Sequence, residues 1–124
     1  MRTTTMMSNI ARQLLMKEVQ SAFTERYPYL RIHMMKETDN GLEADASEEK
    51  KEIRLAARQL LWEQFGLSDD SKVGELEILL EYEFGRPVQI LRKSGNLWLE
   101  TRMTRHWTLR QQDDHGREIA MGFT

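Results

Sequence analysis

The sequence predicts a single α+β domain: a sheet of about three strands, ending in a C-terminal hairpin, with three to four helices mainly on one face. Three observations lead there. Apolar residues recur at helical spacing in some segments and alternate in others, so helices and strands are mixed along the chain. The stretches "EVQSAFTERYPYLRIHMMK" and "ELEILLEYEFGRPVQILRK" both run helix, aromatic, breaker, proline, strand and basic end. Near the C-terminus, Ser94-Gly95-Asn96 has the composition of a tight turn between two alternating runs. With 124 residues the chain has room for one core, and residues 1–124 read as one domain.

Ser8 is placed to cap a first helix, whose face carries Ala11, Leu15, Val19, Ala22 and Phe23. Tyr27-Pro28 ends it, because proline pushes the preceding residue out of helical angles. "YLRIHMMK" then alternates as a strand, with Leu30, Ile32 and Met34 on one side and Tyr29, Arg31, His33 and Met35 on the other. "ETDNGLEADA" is a polar loop with a turn at Asn40-Gly41. Ser47, Glu48 and Glu49 open a second helix with Ile53, Ala56, Ala57, Leu60, Leu61 and Gln64 on its face, closed by Gly66. Residues 47–66 read as a helical insertion between the two helix-to-strand units.

"SDDS" is a second capping cluster, followed from Val73 by Leu76, Leu79, Leu80 and Phe84 until Gly85 stops the helix. Arg86-Pro87 restarts the chain as a strand through Val88 and Ile90. Across the turn, Leu97, Leu99, Thr101 and Met103 alternate as its partner. Thr108 caps a last short helix, "TLRQQDD", that Gly116 closes. The likeness of the two helix-to-strand units suggests parallel first and second strands in a mixed sheet; an antiparallel sheet is the alternative.

Composition narrows the function classes. The chain is 40% apolar and 31% charged, which suits a globular protein and excludes a membrane-spanning segment of some twenty apolar residues. There is no cysteine, so disulfides, thiolate metal sites and cysteine nucleophiles are absent. "MRTTTMMSNI" lacks the apolar run of a signal peptide. A cytoplasmic protein is expected. The net charge of −2 hides a pattern of +4 over residues 1–36, −9 over 37–83, +5 over 84–110 and −2 over 111–124. Pairing of oppositely charged faces accounts for this, as do separate patches for separate partners.

No chemistry-bearing motif stands out. His33, His106 and His115 form no pair at metal-ligand spacing, so no metal or other cofactor is expected. No nucleophile elbow or phosphate-binding loop is present, and Glu75, Glu77, Glu81 and Glu83 read as the exposed side of an amphipathic helix. The chain reads as non-catalytic; an enzyme acting at the acidic middle is a third choice, which a carboxylate-lined cleft would favour.

The strongest binding signal is "RKSGNLWLETRMTRHWTL". Its candidate contact residues are Arg92, Lys93, Trp98, Arg102, Arg105 and Trp107, with His106 and Arg110 close by. Parity sends Trp98, Glu100 and Arg102 away from the core if Leu97, Leu99, Thr101 and Met103 face it. Trp98 is then a contact for a protein partner or a second copy, a platform for bases, or a core residue in a sheet covered on both faces. Trp107 also reads as an apolar staple before the Thr108 cap, and Trp62 as a widening of the second helix's buried face. The leading function is a protein-interaction or regulatory module that binds a protein partner or itself. The alternative is a single-stranded nucleic-acid binder using Arg92, Trp98 and Arg102.

"KVGELE", "FGRPVQILRKSGNLWLET" and "WTLRQQDDHG" together span roughly the last 45 to 50 residues. In this order they resemble a small family of uncharacterised bacterial proteins. This chain has His106 where that pattern carries an acidic residue before the tryptophan. The resemblance implies that the hairpin is a real structural unit, and implies no activity, cofactor or catalytic residue.

Overall fold

The computed structural model describes residues 8–35 and 48–122. Helix α1 (Asn9–Arg26) starts where Ser8 Oγ accepts the Ala11 amide at 3.2 Å. Met16 joins Leu15, Val19 and Phe23 on its buried face. Strand β1 (Leu30–Met34) follows Pro28 with Leu30, Ile32 and Met34 buried and Arg31 exposed. The cap expected at Ser47 and the turn at Asn40-Gly41 lie outside the described residues.

Helix α2 (Glu48–Arg58) widens into a π-helical segment, Gln59–Gln64, before Gly66 takes a φ of +65°. The wider turn rotates the end of the helix, so Leu60 and Leu61 are buried while Gln64, expected beside them, is exposed. Ion pairs Glu18–Arg54 at 3.4 Å and Glu25–Arg58 at 3.9 Å line the seam between α1 and α2.

Helix α3 (Val73–Phe84) begins differently from the expected "SDDS" cap. That segment folds on itself: Asp70 donates its amide to Ser68 Oγ, and Ser68 its own to Ser71 Oγ. Residues just before the last helix satisfy the first α3 amides instead. Val73 donates to the Trp107 carbonyl at 3.0 Å and Gly74 to that of Arg105 at 2.9 Å. Gly85, at φ +69°, ends the helix as read from the sequence.

Strands β2 (Val88–Ser94) and β3 (Leu97–Glu100) complete a sheet of order β1-β2-β3, antiparallel throughout. The parallel arrangement suggested by the two similar units does not form. Between β1 and β2 the chain passes through two helices, α2 and α3, rather than the single crossover helix of a parallel unit. It returns to the end where β1 finished, with Met34 opposite Val88. The resulting fold is a small single-domain α+β structure, with four α-helices among the described residues.

The alternation read from Leu97 to Met103 breaks inside the run. Thr101 is buried and donates its hydroxyl to the Ile90 carbonyl at 2.7 Å, and the chain turns into a short 3-10 helix, Arg102–Thr104. Met103, placed by alternation on the core side, is 89% exposed. Helix α4 (Leu109–Ala120) starts with a capping box between Thr108 and Gln111. It runs through Gly116 rather than ending there; the glycine keeps helical backbone and is buried where α4 lies against Tyr29 and Arg92.

One sheet face, with Leu30, Ile32, Met34, Val88 and Ile90, packs on α1, α3 and α4 around Leu15, Phe23, Leu76, Leu80, Phe84 and Leu109. No described helix is long and apolar enough to cross a membrane.

Candidate functional site

Register decides which hairpin residues can act together, because residues directly opposite on paired strands share a face. Lys93 pairs with Trp98, whereas Arg92 pairs with Leu99 and, on the other side, with buried Leu30. Arg92 therefore lies on the helix side of the sheet, opposite to Trp98, and the outward pairing of the two expected from the sequence is not formed. Its guanidinium donates from Nη1 to Gln112 Oε1 at 2.9 Å, and burial lowers its pKa. Gln112, itself fully buried, passes the connection on by donating to the Thr104 carbonyl at 2.9 Å.

The other predicted cations disperse as well. Arg105 pairs with Glu77 at 3.5 Å, Arg110 with Asp114 at 3.8 Å, and Arg102 stands at a cleft beside α3. Trp107 is half-buried, meeting His115 edge-on at 5.6 Å between ring centres. Lys93 and Trp98 do come together, on the sheet face opposite the helices. Trp98 is half-buried there and is not part of the core cluster. Arg31, on β1, places its guanidinium 5.5 Å from the Trp98 ring centre. Arg31 was missing from the predicted set; the signal for it was its outward parity between Leu30 and Ile32. Leu91, His33, Gln89 and Glu100 share this face, with Gln89 donating to Glu100 at 3.0 Å.

A cleft of about 230 Å³ lies where β3 ends, lined by Glu77, Glu81, Gln89, Glu100, Thr101, Arg102 and Arg105. The sequence marked these α3 carboxylates as an exposed acidic face, yet two of them reach the sheet. Glu81 Oε2 accepts the Val88 amide at 3.1 Å and Glu77 Oε2 that of Ile90 at 3.3 Å. They replace the carbonyls of the strand that β3 no longer supplies. Burial raises the Glu77 pKa, opposed by the Ile90 amide and by Arg105. Among the described residues, no three His, Asp or Glu side chains are grouped to hold a metal ion.

Side chains also reach the far edge of β1. Thr24 Oγ1 donates to the Leu30 carbonyl and Gln20 Nε2 to that of Ile32, each at 3.1 Å. The hairpin side is different: Leu97 is 66% exposed and Leu99 41%. Comparison of the chain with protein-family models, curated proteins and solved structures finds no match.

Proposed function

We propose that the chain is a non-catalytic protein-interaction module whose contact surface is the β2–β3 hairpin: its open face around Trp98 and its outer side at Leu97 and Leu99. The observation that carries this reading is a sheet that, among the described residues, helices cover on one face, with Trp98, Leu91, Arg31 and Lys93 on the other. Half-buried Trp98 and Leu91 with cations beside them, and exposed Leu97 and Leu99 on the other side of the hairpin, suit a partner that brings apolar groups and a carboxylate. The cleft at Glu77 and Glu81 has a structural account, since both carboxylates bond backbone amides of β2.

Nucleic acid is the second reading, and the ring contact weighs against it. Base stacking needs a free ring face, and Arg31 already sits over Trp98. The cations at positions 92, 105 and 110 are engaged away from that ring.

The test places a photo-crosslinking residue at Leu97 and, as control, at exposed Leu55, in the cells that express the protein. A discrete protein adduct from position 97, absent from position 55 and lost on adding Trp98→Ala, is the expected result. An adduct destroyed by nuclease would transfer the surface to nucleic acid, and equal adducts from both positions would overturn the reading. Trp98→Ala alone should still unfold cooperatively near the wild-type midpoint; global unfolding would make Trp98 a core residue and remove it from the contact surface.

A further inference from the structure

We infer that the partner at the outer edge of β3 is a second copy of this chain, joined by antiparallel β3–β3 pairing into a continuous six-stranded sheet. The inference rests on the reading of the hairpin as a contact surface and names its occupant.

The polarity of β3 follows from its neighbours. Ile90 meets Glu77 with its amide and Thr101 with its carbonyl, so its polar groups point toward the β3 side of β2. By alternation those of Arg92 and Ser94 point the same way, toward their partners Leu99 and Leu97. The N–H and C=O groups of Trp98 and Glu100 therefore point outward, along the free edge. Among the described residues, no hydrogen bond reaches them there.

Side chains take up free backbone groups elsewhere in this sheet: Thr24 and Gln20 bond the Leu30 and Ile32 carbonyls on the β1 edge, and Glu81, Glu77 and Thr101 bond Val88 and Ile90 on the unpaired half of β2. An open edge is a template for another strand, and proteins commonly blunt it with charge, proline or cover. The β3 edge carries none at its centre. Trp98 and Leu99 are there, with Leu97 before them, and both leucines are exposed.

Self-pairing about a two-fold axis at Leu99 fits this strand in particular. It sets Trp98 opposite Glu100 of the second copy, and Glu100 opposite Trp98 of the second copy. Both outward-facing residues of each strand are then used, in four hydrogen bonds. Leu99 meets Leu99 of the second copy at the close, non-hydrogen-bonded position, and no like charges stand directly opposite. On the open face each Glu100 also enters the row that holds Trp98 and Lys93 of the second copy, carboxylate toward ammonium. A strand of four residues makes a contact well below the roughly 1,600 Å² of a standard stable interface. The dimer is accordingly reversible, forming at concentrations on the order of 0.1–1 mM.

The chain lacks cysteine, so single-cysteine variants report the register directly. The close antiparallel pair at Leu99 has a Cα separation of about 4.5 Å, within disulfide range. Under mild oxidation at high concentration, Leu99→Cys should yield disulfide dimer at least about tenfold faster than Leu55→Cys, a factor set by proximity. Sedimentation of the wild type should show mass rising with concentration. Leu99→Lys, which brings two cations together at the axis, should remain folded and monomeric. The inference is overturned if Leu99→Cys crosslinks no faster than Leu55→Cys, if the wild type stays monomeric at about 1 mM, or if Leu99→Lys still dimerises. Those outcomes, with a discrete heterologous adduct from position 97, would leave the interaction reading standing. Without such an adduct, both would fall.

Discussion

Gly116 lies in the interior of α4, where replacing glycine with alanine ordinarily stabilises a helix by about 0.8–1 kcal/mol. Here the new methyl would lie 2.7 Å from Tyr29 Cβ, 3.3 Å from Arg92 Cγ and 3.5 Å from the Lys93 carbonyl. The first contact is with an atom fixed to the backbone, so α4 must move away from the sheet. Overpacking of this kind costs about 1–3 kcal/mol, which exceeds the propensity gain. Gly116→Ala should therefore lose about 1 kcal/mol net, lowering the midpoint by about 2–6 °C for a domain of this size. Gly74 supplies the control: its methyl would meet Arg105 Nε at 2.9 Å, the end of a flexible side chain that can swing aside. Gly74→Ala should change stability by less than about 0.5 kcal/mol, since the pair it disturbs, Arg105–Glu77, is half-exposed on its arginine side. Urea and thermal unfolding followed by circular dichroism reads both. A Gly116→Ala protein as stable as the wild type, or more so, would refute the close approach of α4 to Tyr29 and Arg92.

Asp113 accepts the Tyr29 amide at 2.9 Å in a half-buried position, and burial raises its pKa. A carboxyl with a raised folded pKa contributes stability that is present at acid pH and lost as pH rises through that value. Asp113→Asn keeps an acceptor without the charge, so it should be more stable than the wild type at pH 7 and flatten the stability profile just above the ordinary carboxylate range. A less stable variant at pH 7 would contradict this. The Tyr27 hydroxyl donates to Asp69 at 2.7 Å, and burial pushes the phenol up to about 12 from 10.0. Its contribution is intact below pH 10 and fades as pH climbs toward 12; Tyr27→Phe should lose about 1 kcal/mol at neutral pH and remove that alkaline loss, as urea titrations across the range would reveal. Gln112→Leu strands the Arg92 guanidinium and the Thr104 carbonyl, and should cost about 2–4 kcal/mol. Hydrogen exchange should show the Leu97 and Leu99 amides losing the most protection, and a uniform loss across the chain would argue against a local mount for the hairpin.

The order of elements was legible because each carries a local signal: Ser8 and Thr108 as caps, Pro28 and Pro87 as breakers, Gly66 and Gly85 as helix ends. Strand direction was not, since it depends on how many helices cross between β1 and β2 and on where they return the chain. The end of β3 was also hidden. Thr101 continues the alternating pattern, but its hydroxyl bonds the Ile90 carbonyl and the chain leaves the sheet. Parity placed Trp98 on the face away from the helices, and the same rule applied across the Ser94–Leu97 closure would have put Arg92 on the other face. The edge seals had no sequence signature. Glu77 and Glu81 look like any solvated helix face until α3 lies along the unpaired half of β2.

The four-residue strand β3 is held in place by its mounting. Short strands hold poorly alone, and β3 has only β2 beside it in the sheet. The segment after it is fixed from two sides. Gln112 ties Thr104 to Arg92, joining α4, the 3-10 turn and β2 through one buried amide. The carbonyls of Arg105 and Trp107 receive the first amides of α3, so the stretch leaving β3 also serves as the cap of a core helix. On the proposed interaction reading, a strand held in this way would lose little conformational freedom on docking, so that a small contact could be selective. Thr101, buried with its hydroxyl on the Ile90 carbonyl, is the side chain of this stretch on which the mount depends most directly. Leu97 and Leu99, exposed and outside these bonds, can vary without disturbing the mount.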